Sequence, residues 1–288
     1  MLKVGVFPNV DKECSADVLN RIISFFQDKD VQLMMPKDTA AFFHWEEYGV
    51  KDIEQVGLDV GISIGGDGTL LGVCRRLSAA GIPVCGINIG NFGFLADIEL
   101  TEIESRLEKI LSGDYRIEER LMLSGLIRRE GELHFAGSAI NDVVLAKGGV
   151  ARMLHLGLSV DGCKISDYKA DGLIVSTATG STAYSLSAGG PIINPKVKVL
   201  LLTPICPHTF NVRPMIIDEN EEVCVHIAAV HQDILLTFDG QESFRLLPGD
   251  EVVVRKSQTR ARIIKFDDKN FYHTMRTKLW RGDEPCRL

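Results

Sequence analysis

The chain has 288 residues, 45% of them hydrophobic and 25% charged, ordinary globular proportions that exclude an extended disordered protein. Its net charge of −7 argues against a nucleic-acid partner, so an anionic substrate has to be attracted by a local cluster of Lys and Arg. Seven scattered cysteines, never spaced CxxC, read as buried thiols in a reducing compartment, and no run approaches transmembrane length. With no basic segment and apolar stretch opening the chain, the expectation is a cytoplasmic enzyme that meets no membrane.

Lys3 to Phe7 is a short apolar strand, and Val18, Ile22 and Phe25 or Phe26 then recur at helical spacing. Val31 to Met35 reads as the next strand, ended by Pro36. Phe42, Phe43, Trp45 and Tyr48 form an aromatic cluster in residues 37–50, on a helix or a lid, with a helix packed on its domain preferred. Residues 59–64 make a buried strand, followed by a helix through residue 80. Gly81-Ile82-Pro83 breaks that helix, and Val84 to Asn88 is another strand. Ile87 to Leu95 is a glycine-punctuated loop at a strand's carboxyl end, where ligands of open α/β sheets gather. Thr101 with Glu104 predicts a capping box for a helix to about residue 112, stopped by Gly113. Strands alternating with helices predict a mostly parallel sheet.

The pattern changes after Tyr115. Segments 121–128, 138–146, 152–160, 163–175, 198–203, 222–230, 233–239, 250–256 and 260–266 read as strands. Asp161-Gly162, Asp239-Gly240 and Pro248-Gly249-Asp250 supply turn chemistry. A helical interruption falls near 181–188, and Asn270 to Trp280 reads as a helical tail that could return to the first domain. The expected division is an α/β domain over 1–115, a mostly antiparallel β domain over 116–268 and a tail over 269–288.

The stretch that organises the chain is Gly65-Gly66-Asp67-Gly68-Thr69, directly after the strand Val60–Ile64. Its glycines are expected to take positive φ and let a ligand come close, while free N–H groups at the following helix suit phosphate oxygens. The carboxylate is out of place in a pure anion cradle. Asp67 either faces a hydroxyl or a metal ion beside nucleotide phosphates, or simply caps the turn. The turn resembles a motif shared by NAD kinases, lipid kinases and phosphofructokinase-like enzymes.

Other matches are weaker. Gly61-Ile62-Ser63-Ile64-Gly65 fits GxSxG, but Ser63 lies inside an apolar strand instead of at a strand–helix corner. There is no Walker A sequence, and GxGxxG spacing fails at 66–72. His226 and His231 fall on opposite faces of a strand, which disfavours a shared zinc. The second dense cluster, Lys169 to Pro191, delivers a run of hydroxyls and small residues into an expected helix N-terminus, where they could read a ribose, an adenine edge or a phosphate.

Taken together, Gly65-Gly66-Asp67-Gly68-Thr69, Asn141-Asp142, Lys169-Ala170-Asp171-Gly172, Thr179-Gly180-Ser181-Thr182-Ala183-Tyr184, Pro204-Ile205-Cys206-Pro207-His208-Thr209 and Asp239-Gly240-Gln241 resemble the NAD kinase family in content and order. The resemblance covers most of the chain. It implies a Rossmann-like α/β nucleotide domain followed by a β-rich domain. The implied reaction is phosphorylation of the 2′-hydroxyl of NAD's adenosine ribose by ATP, or by polyphosphate, with a divalent metal (Mg or Mn) on the donor. It further implies Asp67 as catalytic base and Gly68 against phosphates. Asn141, Asp142, Arg152, Lys169 and Asp171 map to the NAD site, Thr182, Ala183, Tyr184, Ser185, Leu186 and Ser187 wrap the adenosine, and Gln241 closes the pocket. Asp142 and Lys169 stand where relatives often carry Glu and Arg. A dimer or tetramer is the implied assembly. The competing readings are a lipid kinase, which should show an amphipathic or basic membrane surface, and a non-catalytic NAD-binding regulator, which would not need Asp67.

Overall fold

Each buried β-branched run in the first part of the chain becomes a parallel strand. The computed structural model describes residues 1–90, 93–149, 153–208, 211–228, 233–267 and 270–279. It divides into two units, residues 1–119 with 261–288 and residues 120–260.

In the first unit, β1 (Leu2–Pro8) is followed by α1 (Ser15–Phe26), β2 (Val31–Pro36), α2 (Lys37–Phe42) and β3 (Gly49–Val50). Then come β4 (Val60–Gly65), α3 (Asp67–Leu77), β5 (Val84–Asn88) and α4 (Ile103–Ser112). The sheet order is β5-β4-β1-β2-β3, with every pairing parallel. β4 is buried along its whole length, the central position that its Val-Gly-Ile-Ser-Ile-Gly sequence demands. Val18, Leu19, Ile22, Ile23 and Phe26 of α1 and Ile103, Leu107 and Ile110 of α4 join Val4, Val6, Val60, Ile62 and Ile64 in one core. Phe43, Trp45 and Tyr48 pack against it from the turns that follow α2, whereas Phe42, the member of the cluster that lies on the helix, stays exposed, so the packing aromatics follow the helix instead of lying on it as expected.

The capping box before α4 differs from the expected Thr101–Glu104 pair. A 3-10 turn, Leu100–Glu102, precedes the helix, and Glu99 and Glu102 form the box. Glu104 is taken by Arg21 of α1, which reaches both its carboxylate oxygens at 2.8 Å.

The second unit is antiparallel. Its strands are β6 (Arg116–Arg129), β7 (Glu132–Ala139), β8 (Asp142–Lys147), β9 (Leu154–Val160), β10 (Cys163–Ala170) and β11 (Gly172–Thr177). After the single turn α5 (Tyr184–Ser187) come β12 (Val199–Ile205), β13 (Met215–Asp218), β14 (Val223–Ile227), β15 (Ile234–Phe238), β16 (Glu242–Leu246) and β17 (Glu251–Lys265). One sheet runs β13-β12-β11-β8-β15-β16, and the other contains β10-β9-β14-β17, with β6 pairing β17 and β7. Inward residues of the two sheets, among them Val143, Leu173, Leu202 and Phe238 against Leu156, Val225 and Val252, share one core. β17 is a single strand where two were expected. Val252–Val254 pair with β14, and Ile263 pairs in parallel with Val84 of β5. α6 (Phe271–Leu279) belongs to the first unit.

The runs 138–146 and 163–175 each resolve into two strands, separated at Ile140–Asn141 and at Asp171. The edge strands β13 and β16 were not legible as strands. β16 is exposed at Glu242 to Arg245, and its apolar alternation is limited to Phe244 and Leu246. Among the expected turns, Asp161-Gly162 (φ 47° and 74°) makes a two-residue hairpin and Asp239-Gly240 (φ 50° and 65°) opens a three-residue one, both in the left-handed region.

Ile62 is 0% exposed in the strand that delivers Asp67. Ile62→Ala should cost about 2–5 kcal/mol in urea unfolding. A loss below about 1 kcal/mol would show that β4 is not the packed centre of the first unit.

Candidate active site

In the first unit β4 ends at Gly65 and α3 begins at Asp67, joined by Gly66 with φ −112° and ψ −167°, an extended conformation. None of Gly65, Gly66 and Gly68 has positive φ, which corrects the expectation for this turn. What the turn needs is space, since a Cβ on Gly65 would lie 2.1 Å from Thr69 Oγ1. That hydroxyl accepts a hydrogen bond from Asn9 Nδ2 at 3.1 Å. Gly68 is exposed at the first turn of α3.

Asp67 does not cap its own helix. Its half-buried carboxylate accepts three backbone N–H groups from the loop after β5, those of Phe94, Leu95 (3.1 Å) and Ala96 (3.0 Å). Asn91 and Phe92 of that loop lie outside the described residues.

In the second unit a carboxylate does the same work. Asp239 sits at the left-handed position of the β15–β16 turn and accepts the N–H groups of Ile140 (3.0 Å), Asn141 (2.7 Å) and Asp142 (3.2 Å). These residues lead into β8, whose first residue is Asp142, and Asp239 returns its own N–H to the Asp142 carbonyl at 3.0 Å. Thr177, at the end of β11, braces the same corner. Its hydroxyl donates to Ile140 O at 2.6 Å and its N–H to Asn141 O at 2.9 Å. A Cβ at Gly180 would lie 2.1 Å from Asn141 O, so the following loop closes on Asn141 only because residue 180 is glycine.

Asn141 is half-buried and its side chain makes no hydrogen bond among the described residues. Asp142 is 3% exposed. Burial, and then the neighbouring charge of Asp239, push the Asp142 carboxyl up to about 7. This pair is therefore a polar unit with unspent hydrogen-bonding capacity on a rigid strand end.

The hydroxyl-rich run is mostly turned inward. Ser181 bonds Ala178 O and the Ile193 N–H, and Ser185, wholly buried, bonds Thr203 Oγ1 at 2.8 Å. Thr182 donates to Thr179 O at 3.2 Å. Only four residues of helix follow, so the run does not lead into a helix terminus able to hold a phosphate. Tyr184 and Ser187 are exposed, and Thr182, Ala183 and Leu186 are partly exposed. Gln241 is exposed just beyond the Asp239 turn.

Lys169 and Asp171 lie elsewhere in the unit. Asp171 pairs with Lys147 Nζ at 2.8 Å, and Lys169 O accepts the His208 N–H at 2.9 Å. Lys147 and Asp142 are the two ends of β8, about 16 Å apart at roughly 3.3 Å per residue. Asp171 is thus at the end of the strands opposite Asn141. Arg152 and His231 lie outside the described residues. The residues to which the sequence assigned no role at the site are Asp239, noted as a turn former and as part of the motif Asp239-Gly240-Gln241, and Thr177. The signal available was an Asp at a left-handed position, whose carboxylate is well placed to collect nearby N–H groups.

A glycine turn presenting one carboxylate at a helix start stands in the first unit and an Asn-Asp pair in the second, and each offers groups suited to a phosphotransferase of the nucleotide-binding kind. Residues 4–115 match the ATP-NAD kinase N-terminal domain and residues 140–266 the ATP-NAD kinase C-terminal domain. The NAD kinase of Moorella thermoacetica is 42% identical over 98% of this chain and 90% of its own length. The fold is shared with yeast NADH kinase complexed with NADH (TM-score 0.89, 23% identity, 100% of this chain and 90% of that one). An Archaeoglobus fulgidus NAD kinase in complex with ATP is also similar (TM-score 0.75, 25% identity, 96% and 99%). The chain belongs to the NAD kinase family; it is an enzyme, and the family's substrates are NAD and ATP.

The Asp142 shift has a sign. An unfolded Asp titrates near 3.9, so between there and about 7 the folded chain holds an extra proton. Stability contributed by the protonated form is full at the acid end and is lost as pH rises through that window, at about 1.4 kcal/mol per unit. The thermal midpoint of the parent should fall relative to Asp142→Asn between pH 5 and pH 8. Parallel midpoint curves for the two proteins would contradict the shift.

Proposed function

We propose that the 2′-hydroxyl of the adenosine ribose of NAD is the acceptor and that Asp67 orients it and takes its proton. The observation that carries this is the geometry of Asp67. It is a half-buried carboxylate at the start of α3 that spends no hydrogen bond on its own helix. As the bond from the ribose oxygen to the γ-phosphorus forms, the bond from phosphorus to ADP breaks, and ADP leaves with the electron pair. Positioning and neutralisation of charge supply most of the rate, with the base contributing the remainder.

Asn141 offers an amide to a base edge, and Asp142 a carboxyl to a ribose hydroxyl. Thr182, Ala183, Tyr184, Leu186 and Ser187 line the adenosine side, with Ser185 holding that segment in place from inside. Gly68 lies against phosphates, Gln241 borders the pocket and Arg152 adds a cation. The divalent metal arrives on the donor's phosphates, in keeping with the habit of Mg²⁺ to bind through phosphates and one or two carboxylates. Against the expectation of buried thiols, only Cys74 and Cys85 are buried among the described cysteines, and Cys14, Cys163 and Cys206 are exposed free thiols, which suits a reducing cytoplasm.

The placement of Lys169 and Asp171 supports an oligomer. They stand at the end of β8 and β11 opposite Asn141 and Asp142, too far to bond the same ribose from one chain. In this reading they serve a dinucleotide held by a second copy, in a dimer or tetramer.

NADP formation from NAD, ATP and magnesium should fall about 10²–10⁴-fold in Asp67→Asn, with NAD binding retained. An active variant would move the base elsewhere, and a folded parent that makes no NADP from either ATP or polyphosphate would overturn the kinase reading. Mixing inactive Asp67→Asn with inactive Asp171→Ala should restore activity through hybrid oligomers. Failure to complement, with hybrids present by mass spectrometry, would confine each site to one chain.

A further inference from the structure

The loop after β5 does more than follow a strand. Its residues Phe94, Leu95 and Ala96 turn three consecutive N–H groups onto one side chain, the carboxylate of Asp67. The distribution between its oxygens is unequal. Oδ1 accepts from both Leu95 and Ala96, whereas among the described residues Oδ2 accepts from Phe94 alone. A carboxylate has about four acceptor positions, so Oδ1 is filled and Oδ2 keeps one.

Gly93 is what lets the loop come this near. A Cβ built there would lie 1.8 Å from Asp67 Oδ1, 2.3 Å from Cγ and 2.8 Å from Oδ2. The backbone of Gly93 is not in the left-handed region, so an alanine meets no conformational penalty at this site. Its cost is the collision with Asp67. The loop is fastened independently of that carboxylate, because Lys265 Nζ donates to Leu95 O at 2.8 Å and pairs with Asp97 at 2.8 Å. Ile98 also ties its far end to β5, its N–H donating to Gly86 O and its carbonyl accepting the Asn88 N–H. An added side chain at residue 93 must therefore displace Asp67 before it displaces the loop.

We propose that Gly93 and the N–H groups of residues 94–96 are a positioning device for Asp67, and that Oδ2 is the atom that receives the proton of the acceptor hydroxyl. The inference rests on the kinase reading above and adds which residues aim the base and which oxygen acts. With Oδ1 held by two N–H groups the carboxylate cannot spin, and the remaining position on Oδ2 is fixed relative to α3. The proton moves from the hydroxyl to Oδ2 as the oxygen–phosphorus bond forms, and Asp67 passes it to water once the product leaves. Gly93 is a positioning residue, since it touches Asp67 and not the reacting atoms.

The test is steady-state kinetics on the full chain with NAD and magnesium ATP. Gly93→Ala should lower kcat about 100-fold, the size of effect that a misplacement near 1 Å produces. KM for NAD and for ATP should stay within about three-fold, as for a group used only in the transition state. Gly93→Ala combined with Asp67→Asn should be no slower than Asp67→Asn alone, because both changes remove one function. Near-parental kcat in Gly93→Ala, or losses that multiply in the double variant, would overturn the proposal. If Gly93→Ala fails to fold, Asp67→Glu reads the same point. It keeps a carboxylate but moves it by one methylene, and should be as inactive as Asp67→Asn, whereas an active Asp67→Glu overturns the proposal. NADP formation by the parent separates these outcomes from failure of the kinase reading itself.

Discussion

A carboxylate that gathers three successive backbone N–H groups is the interaction on which both halves of this enzyme depend. Asp67 does so with residues 94–96 and Asp239 with residues 140–142. Backbone N–H groups that leave a sheet ladder need another partner, and a charged acceptor makes stronger bonds than a carbonyl. Each carboxylate thus turns an irregular strand end or loop into a fixed surface. The consequences differ. Asp67 belongs to the glycine turn, and in the reading proposed above it is the base, held by the loop whose N–H groups it gathers. Asp239 is a turn residue that aims its neighbours, Asn141 and Asp142, and its charge helps keep the Asp142 carboxyl protonated up to about neutrality.

Around these two anchors the chain uses small residues and hydroxyls as structure. Gly65, Gly93 and Gly180 are each required by a neighbour that comes within bonding range of where a side chain would stand. Thr177, Ser181 and Ser185 spend their hydroxyls on carbonyls and on each other's loops. A stiff frame of this kind leaves few groups uncommitted, and Asn141 and the open position of Asp67 stand out for that reason. Preorganised groups of this sort need no rearrangement as charge develops in a transition state.

Much of the architecture was legible in the sequence because burial on both faces writes itself as β-branched runs. Val60 to Ile64 could be only a central strand, and the change of period after Tyr115 marked the antiparallel unit. Elements without a buried face were not legible. β16 is exposed over four of its five residues, and the breaks at residues 140–141 and at Asp171 depend on hydrogen bonds from distant residues. The same limit applies to the capping box. Glu104 has the right spacing from Thr101, but Arg21, 83 residues away in sequence, claims it first. Glycine-rich turns were recognised for their position and misread for their cause, because proximity to Thr69 or Asp67 is a tertiary fact while positive φ is a local one. For the candidate site, the motifs identified the residues by resemblance. Asp239 as holder of Asn141 and the inward turn of Ser185 emerged only from the folded chain.

Amide hydrogen exchange read residue by residue tests the central claim most directly. The amides of Leu95, Ala96, Ile140 and Asn141 should be protected in the native enzyme. Asp67→Ala should release residues 94–96 alone, and Asp239→Ala residues 140–142 alone. Rapid exchange at these amides in the native chain, or protection that survives loss of the matching carboxylate, would contradict it.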